Sequence, residues 1–335
     1  MIFIIILFLT FNSIYDKESF PIIIENIKNI KLYYIIICIS LMLIYFFCQG
    51  IYTKIILKAL DEKISLIKGT FFAMVEFFFS GITPSSTGGQ PLQLYYMTKD
   101  KIPIRKSYIT LILNTIYFKI ILLVLGIIIL IFEPSFIINS KFIYKVCFAI
   151  GFIIDMTMVI LGMTLLFKTS IIKKIYVKLS KILSKNKKLK RKIDKINIDN
   201  VLKKYEYEID FIKTHKKVVI ETLLITFIQR IFLFSIIYIV YRSLGFNKYN
   251  YFDLLALQIT VQVAIESVPF PGGVGVSEKM MHSLFSTIFA SSFADIGMLL
   301  TRTFTFYIPL LLSGIIVLIN YLYMKYIKHN KKTVS

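Results

Sequence analysis

Apolar residues in this chain gather into long unbroken runs, at about 1–11, 32–53, 104–132, 142–167, 218–241 and 296–322, separated by charged stretches. Most of these runs reach the roughly 20 residues that carry an α-helix across a hydrocarbon core of about 30 Å. A closed barrel would instead show alternating segments of about ten residues. Two further apolar stretches, about 69–97 and 252–291, are broken in the middle. The first is interrupted by Thr83, Pro84, Ser85, Ser86, Thr87, Gly88 and Gly89, and the second by Pro269, Phe270, Pro271, Gly272, Gly273, Val274 and Gly275. The pattern predicts an all-α integral membrane protein. It has about six spanning helices plus two broken, re-entrant helical hairpins at matching places in the two halves, as inverted repeats have. Residues 1–335 form one polytopic membrane domain.

The arms of the first break are short. Positions 69–82 supply about 21 Å of helix and 90–97 supply less, so this hairpin returns to the side it entered. The second break has longer arms, of about 17 and 16 residues, which suit either a re-entrant hairpin or a pair of tilted spans. Irregular backbone at membrane depth survives only where protein or a water-filled cavity satisfies it.

Composition narrows the class. Of 335 residues 57% are hydrophobic and the mean hydropathy is +0.74, against about 45–50% apolar residues in soluble domains. An ordinary soluble enzyme, a disordered chain and a secreted disulfide scaffold are excluded. Cys38, Cys48 and Cys147 lie in or beside apolar segments without CxxC spacing, and His215, His282 and His329 are scattered. No metal, no cofactor and no nucleotide-binding phosphate loop is expected.

Charge sets the expected orientation. Lys and Arg number 40 against 19 Asp and Glu. With Met1 inside, 29 of the 40 fall in segments 54–68, 99–106, 168–217 and 325–335, and 7 fall in 12–31, 133–145 and 242–253. The positive-inside rule thus predicts a multi-pass protein of the bacterial cell membrane with both termini cytoplasmic. Abundant Ile, Lys, Asn and Tyr with no Trp also fits an AT-rich genome, which accounts for part of the Lys excess. Segment 168–217 carries 17 basic residues, with Ile171, Ile172, Ile175, Leu179, Ile182 and Leu183 at helical spacing. It reads as an amphipathic helix on an anionic leaflet or as a solvated linker. Membrane phospholipids are the expected partners, and nucleic acid is not.

Candidate chemistry lies at the breaks and at the deep charges. Gly88 and Gly89 can take positive φ and admit another group to the backbone. A helix starting near Gln90 and Pro91 would offer unpaired amides to a phosphate, with Gln93 as a neutral hydrogen-bonding neighbour. A capped tight turn is the plainer reading. At the second break Pro269 and Pro271 stop one helix, while Gly272, Gly273 and Gly275 shape the turn. Glu278 then enters the first turn of the next helix, where capping is as good a reading as function. The remaining deep charges are Glu76, Lys119, Asp155, Arg230, Glu266 and Arg302. Ionisable groups inside a membrane usually mark a pathway or a pair. Arg302 is expected to meet Glu278, Glu266 or a lipid phosphate, Arg230 to pair with Glu266 or Asp155, and Lys119 to turn toward water.

Segments GITPSSTGGQPLQLYYMTKDKI (81–102), ESVPFPGGVGVSEKM (266–280) and TRTFTFYIPLLLSG (301–314) resemble the membrane region of bacterial lysylphosphatidylglycerol synthetases, whose free-standing relatives are flippase-like membrane proteins. The likeness runs over nearly the whole chain. It implies a translocator that moves phospholipid head groups, aminoacylated phosphatidylglycerol among them, between leaflets. The alternative is a phosphatidylglycerol lysyltransferase, or a subunit working with a separate lipid-modifying enzyme, that contributes to resistance to cationic antimicrobial peptides. The soluble transferase domain of the two-part synthetases is not in this sequence. Many members carry an acid and an Arg shortly after the first Gly pair, where this chain has Gln90 and Gln93. By position, the resemblance points to Thr83, Pro84, Gly88, Gly89, Pro269, Pro271, Gly272, Gly273, Gly275, Glu278 and Arg302.

Overall fold

The computed structural model describes residues 30–83, 87–133, 135–167, 214–265, 276–289 and 291–333, with isolated positions elsewhere. The expected first span, segment 168–217 up to Lys213 apart from single positions, and the second break at 266–275 lie outside the described residues. The elements are α1 (Leu32–Ala59), α2 (Leu66–Ile82), α3 (Gly89–Lys99), α4 (Ile104–Phe132), α5 (Ser135–Ile138) and α6 (Phe142–Phe167). They continue with α7 (Lys216–Phe234), α8 (Ile236–Ser243), α9 (Tyr251–Ile265), α10 (Val276–Phe285), α11 (Ser291–Arg302), a π-helical segment (Thr303–Tyr307) and α12 (Ile308–Thr333). Every described element is helical. Among the described residues five stretches are long and apolar enough to cross a membrane: Leu32–Ala59, Ile104–Phe132, Phe142–Thr164, Lys216–Ser243 and Phe293–Met324.

Local chemistry sets the helix ends. The Ser65 hydroxyl accepts the Lys68 amide at 3.2 Å and caps α2, satisfying one of the orphan donors of a first turn. Pro103 stands just before α4. The arm after the second break is shorter than expected. It stops at Phe285, where Ser286 and Thr287 turn their hydroxyls onto the carbonyls of Ser283 and Leu284. Such back-bonding competes with continued helix. The π segment lies just before Pro309, which has no amide to donate. Local π winding is one way a membrane helix absorbs that loss.

Helix α1 runs antiparallel to α7 and α8. Cys38 packs in one apolar cluster with Ile236 and Val240, Tyr45 and Gln49 meet Gln229, and Tyr52, Ile56 and Leu60 share a cluster with Val218 and Val219. The hairpin α2–α3 follows the Leu60 end of α1, and the α9–α10 stretch follows the Ser243 end of α8. The two broken elements therefore enter from opposite ends of this antiparallel pair.

Packing obeys the same exchange. Helix α2 lies against α12, with Gly81 facing Leu310 and Gly314 facing Phe78. In the other half α9 lies against α4, with Val263 over Gly126. Likewise α3 packs on α4 as α10 packs on α11, and α1 touches the π segment as α7 touches α4. These contacts of one half thus have counterparts in the other, as in an inverted repeat.

Candidate functional site

The first hairpin closes through one side chain. Thr83 donates its hydroxyl to the Phe79 carbonyl at 2.6 Å, and the same oxygen accepts the Gly88 amide at 2.9 Å. Thr87 sits in the turn and is engaged. Pro84 lies outside the described residues. The expectation of positive φ at the Gly pair is not met, since Gly88 has φ −83° and the positive-φ glycine among the described residues is Gly245. The other expectation, close approach of another group to the backbone, is met and is the reason for glycine. A Cβ on Gly89 would stand 2.7 Å from the Glu76 carbonyl oxygen and press on the Ser80 hydroxyl. One on Gly88 would stand 2.6 Å from Thr83 Cγ2.

Absence of side chains there lets α3 seat its first turn directly on α2. Gln90 then reaches α4, donating from Nε2 to the Thr115 hydroxyl. Gln93, one turn on, is 1% exposed, and its Oε1 has no donor. Positions three and four apart share a helix face, so Gln93 follows Gly89 and Gln90 on the side of α3 that faces α2 and α4.

Five helices close a ring: α1 packs on α2, α2 on α3, α3 on α4, α4 on α7, and α7 on α1. One end is shut by Tyr52, whose hydroxyl donates to the Thr110 carbonyl at 3.1 Å and whose ring meets Tyr117 edge-on. Further along, Arg230 of α7 stands between α1 and α4. Its guanidinium carbon lies 3.8 Å from the centre of the Phe118 ring and 5.4 Å from that of Tyr45. Cation–π contacts of this kind are worth about 2 kcal/mol when desolvated. Tyr45, Phe118 and Arg230 each sit at the midpoint of a span of 28 or 29 residues. The guanidinium is therefore at mid-membrane depth. Glu76 of α2 is within electrostatic reach of Arg230, and its carboxylate accepts the Ser80 hydroxyl at 3.2 Å. Arg230 Nε and Asn114 Oδ1, the latter one turn before Phe118, are buried without hydrogen-bond partners.

Two polar contacts brace the ring. Gln229 donates from Nε2 to Gln49 Oε1 at 2.9 Å and to the Tyr45 carbonyl at 3.1 Å. Lys119 pairs with Asp155 of α6 at 2.7 Å, with Asp155 fully buried. This corrects two expectations: Asp155 belongs to Lys119 and not to Arg230, and Lys119 does not turn to water. The aromatic shelf offered by Phe118 and Tyr45 holds Arg230 in place, and among the described residues Glu76 is the carboxylate within its electrostatic reach.

Arg302 is 8% exposed at the last turn of α11, outside the ring, with its guanidinium carbon 4.4 Å from the Phe306 ring centre and 5.9 Å from that of Tyr307. Glu266, Pro269, Pro271, Gly272, Gly273 and Gly275 lie outside the described residues. Of Glu278 the backbone alone is described, in the first turn of α10. The sequence reading missed Tyr45, Gln49, Phe118, Ser80, Asn114 and Gln229 as site residues. For Gln49 and Gln229 a signal existed, because each is an amide inside an otherwise apolar run. Among the described residues no group of three His, Cys, Asp or Glu side chains is placed to hold a metal.

A polytopic helical protein with antiparallel leading helices in its two halves and an ionisable centre at mid-depth is the class defined by this geometry. The chain belongs to the family described as "Lysylphosphatidylglycerol synthase TM region", whose model matches residues 1–313. It is 23% identical over 313 residues to a "UPF0104 membrane protein" of Archaeoglobus fulgidus, covering 90% of this chain and 91% of that one. No solved structure matches it.

Proposed function

We propose that this protein moves phospholipid head groups between leaflets, along the polar interior of the five-helix ring, while the acyl tails stay in the bilayer. The observation that carries this reading is the placement of Arg230 and Glu76 at mid-depth beside a hairpin too short to span. A charge at the bilayer centre costs about 2.5–3.5 kcal/mol by insertion scales and more by simulation, so it is retained for use or for pairing. These two groups do not close on each other, since Ser80 holds the carboxylate and Phe118 carries the guanidinium. The second broken stretch, which follows the opposite end of the antiparallel pair, supplies the other half of an alternating path in which Gly272, Gly273, Glu278 and Arg302 take part.

Basic loop charge supports an orientation with both chain ends in the cytoplasm and segment 168–217 on the anionic inner leaflet. Vesicles reconstituted with the purified chain and trace dithionite-quenchable lipids test transport. Loss of the protected signal at the rate of protein-free vesicles would remove the proposal. Incubation with lysyl-tRNA and phosphatidylglycerol tests the synthetic reading that the family description also admits, and labelled lipid there would favour it.

A further inference from the structure

The ring interior is charge-balanced. Among the described residues, Arg230 is the charged group that acts on Glu76, while Lys119 is neutralised by Asp155 and Arg302 stands outside on its own aromatic shelf. One cation and one carboxylate remain outside any ion pair among the described residues, of zero net charge, on helices α7 and α2 of the ring. Unmet hydrogen bonding shows the same two poles. Arg230 Nε is a donor without an acceptor, and Asn114 Oδ1 and Gln93 Oε1 are acceptors without donors. Buried polar groups in native proteins are otherwise nearly always paired.

From this geometry we infer that the ring binds a zwitterionic phospholipid head group, its phosphate on Arg230 and its single ammonium on Glu76 and the orphan carbonyl oxygens of Asn114 and Gln93. The inference rests on the lipid-handling reading and gives it a substrate class. A phosphate accepts from a guanidinium in bidentate fashion, and an ammonium has three hydrogens to donate. A lipid carrying both groups in equal number supplies partners for Arg230 Nε, Asn114 Oδ1 and Gln93 Oε1 and leaves the interior neutral. An anionic glycerol head group would strand Glu76, and a head group with a second amine would bring a positive charge that has no counter-ion in the ring. Any unpaired charge at low dielectric is penalised strongly.

The test uses the full chain in detergent, offered equal amounts of phosphatidylethanolamine, phosphatidylglycerol and lysylphosphatidylglycerol with matched tails, and reads bound lipid by native mass spectrometry. The ethanolamine lipid is expected in excess over each competitor by roughly tenfold, about 1.4 kcal/mol. Glu76→Gln should shift retention toward phosphatidylglycerol, and Arg230→Gln toward the lysyl lipid. Should Arg230→Gln fail to fold, Arg230→Lys keeps the charge and must keep the ranking at lower occupancy. Wild-type preference for either charged lipid, or a ranking that Glu76→Gln leaves unmoved, overturns the inference. Ranked binding without movement in vesicles would remove the transport reading alone. Movement with a flat ranking would remove this one alone.

Discussion

Lys119 and Asp155 meet at 2.7 Å at the midpoints of α4 and α6, with the carboxylate fully buried. Two opposite charges so deep are compatible with the membrane only as a couple. Removing one partner strands the other, at about 3–5 kcal/mol. Asp155→Asn should therefore lower the melting temperature in detergent sharply, whereas Lys119→Met with Asp155→Leu should recover most of it. Thermal unfolding followed by fluorescent-detection gel filtration reads the difference. Equal melting of single and double variants would show the pair to be unimportant for stability.

Gly89→Ala should be damaging despite its small size. The new methyl meets the Glu76 carbonyl oxygen at 2.7 Å as well as the Ser80 hydroxyl. A backbone atom cannot rotate away, so Ser80→Gly should not rescue the variant. We expect a loss of about 1–3 kcal/mol, as for overpacked cores, with transport reduced in parallel. Full rescue by Ser80→Gly would mean that the serine alone sets the spacing of α2 and α3.

Gln229 ties α7 to α1 through Gln49 and the Tyr45 carbonyl. Hydrogen bonds between membrane helices average about 0.6 kcal/mol in double-mutant cycles, up to about 1.7. A cycle with Gln49→Leu and Gln229→Leu should give a coupling in that range. The double variant should be less destabilised than the sum of the singles, because no amide is left without a partner. Strict additivity would argue against the contact.

Antiparallel α1 and α8 end on opposite faces of the molecule, so the loops that follow them should too. In a background with Cys38, Cys48 and Cys147 replaced, Lys248→Cys should react with a membrane-impermeant maleimide added to whole cells. Lys63→Cys should react only after lysis, given the basic-loop orientation. Both positions are exposed. Equal labelling of the two in intact cells would contradict the inverted arrangement.

Long spans were legible in the chain because an apolar run of 25 residues has few other uses. The first hairpin was legible from its arm lengths, and the structure moves its limits by only a few residues, to Leu66–Ile82 and Gly89–Lys99. Pairings at mid-depth were not. Sequence shows that Lys119, Asp155, Glu76 and Arg230 are deep, but which meets which depends on helix rotation and on neighbours such as Phe118, whose aromatic face looks like any lipid-facing residue in a run of Ile and Leu. For the glycines one of two reasons holds. Positive φ is not used at Gly88 and Gly89, whereas close approach to the backbone is. Ser80 and Glu76 are the groups that need the room, which only the folded hairpin makes visible.

Winding by one extra residue at Thr303–Tyr307 has a consequence for the whole last helix. Upstream, α11 addresses α8 and α10; downstream, α12 addresses α2. Since each α-helical residue advances about 100° around the axis, rewinding this stretch as plain α-helix with no residue removed would turn everything after Pro309 by about that angle. Gly314 would swing away from Phe78 and Leu310 away from Gly81, and the first hairpin would lose the wall it leans on while every transmembrane length stayed the same.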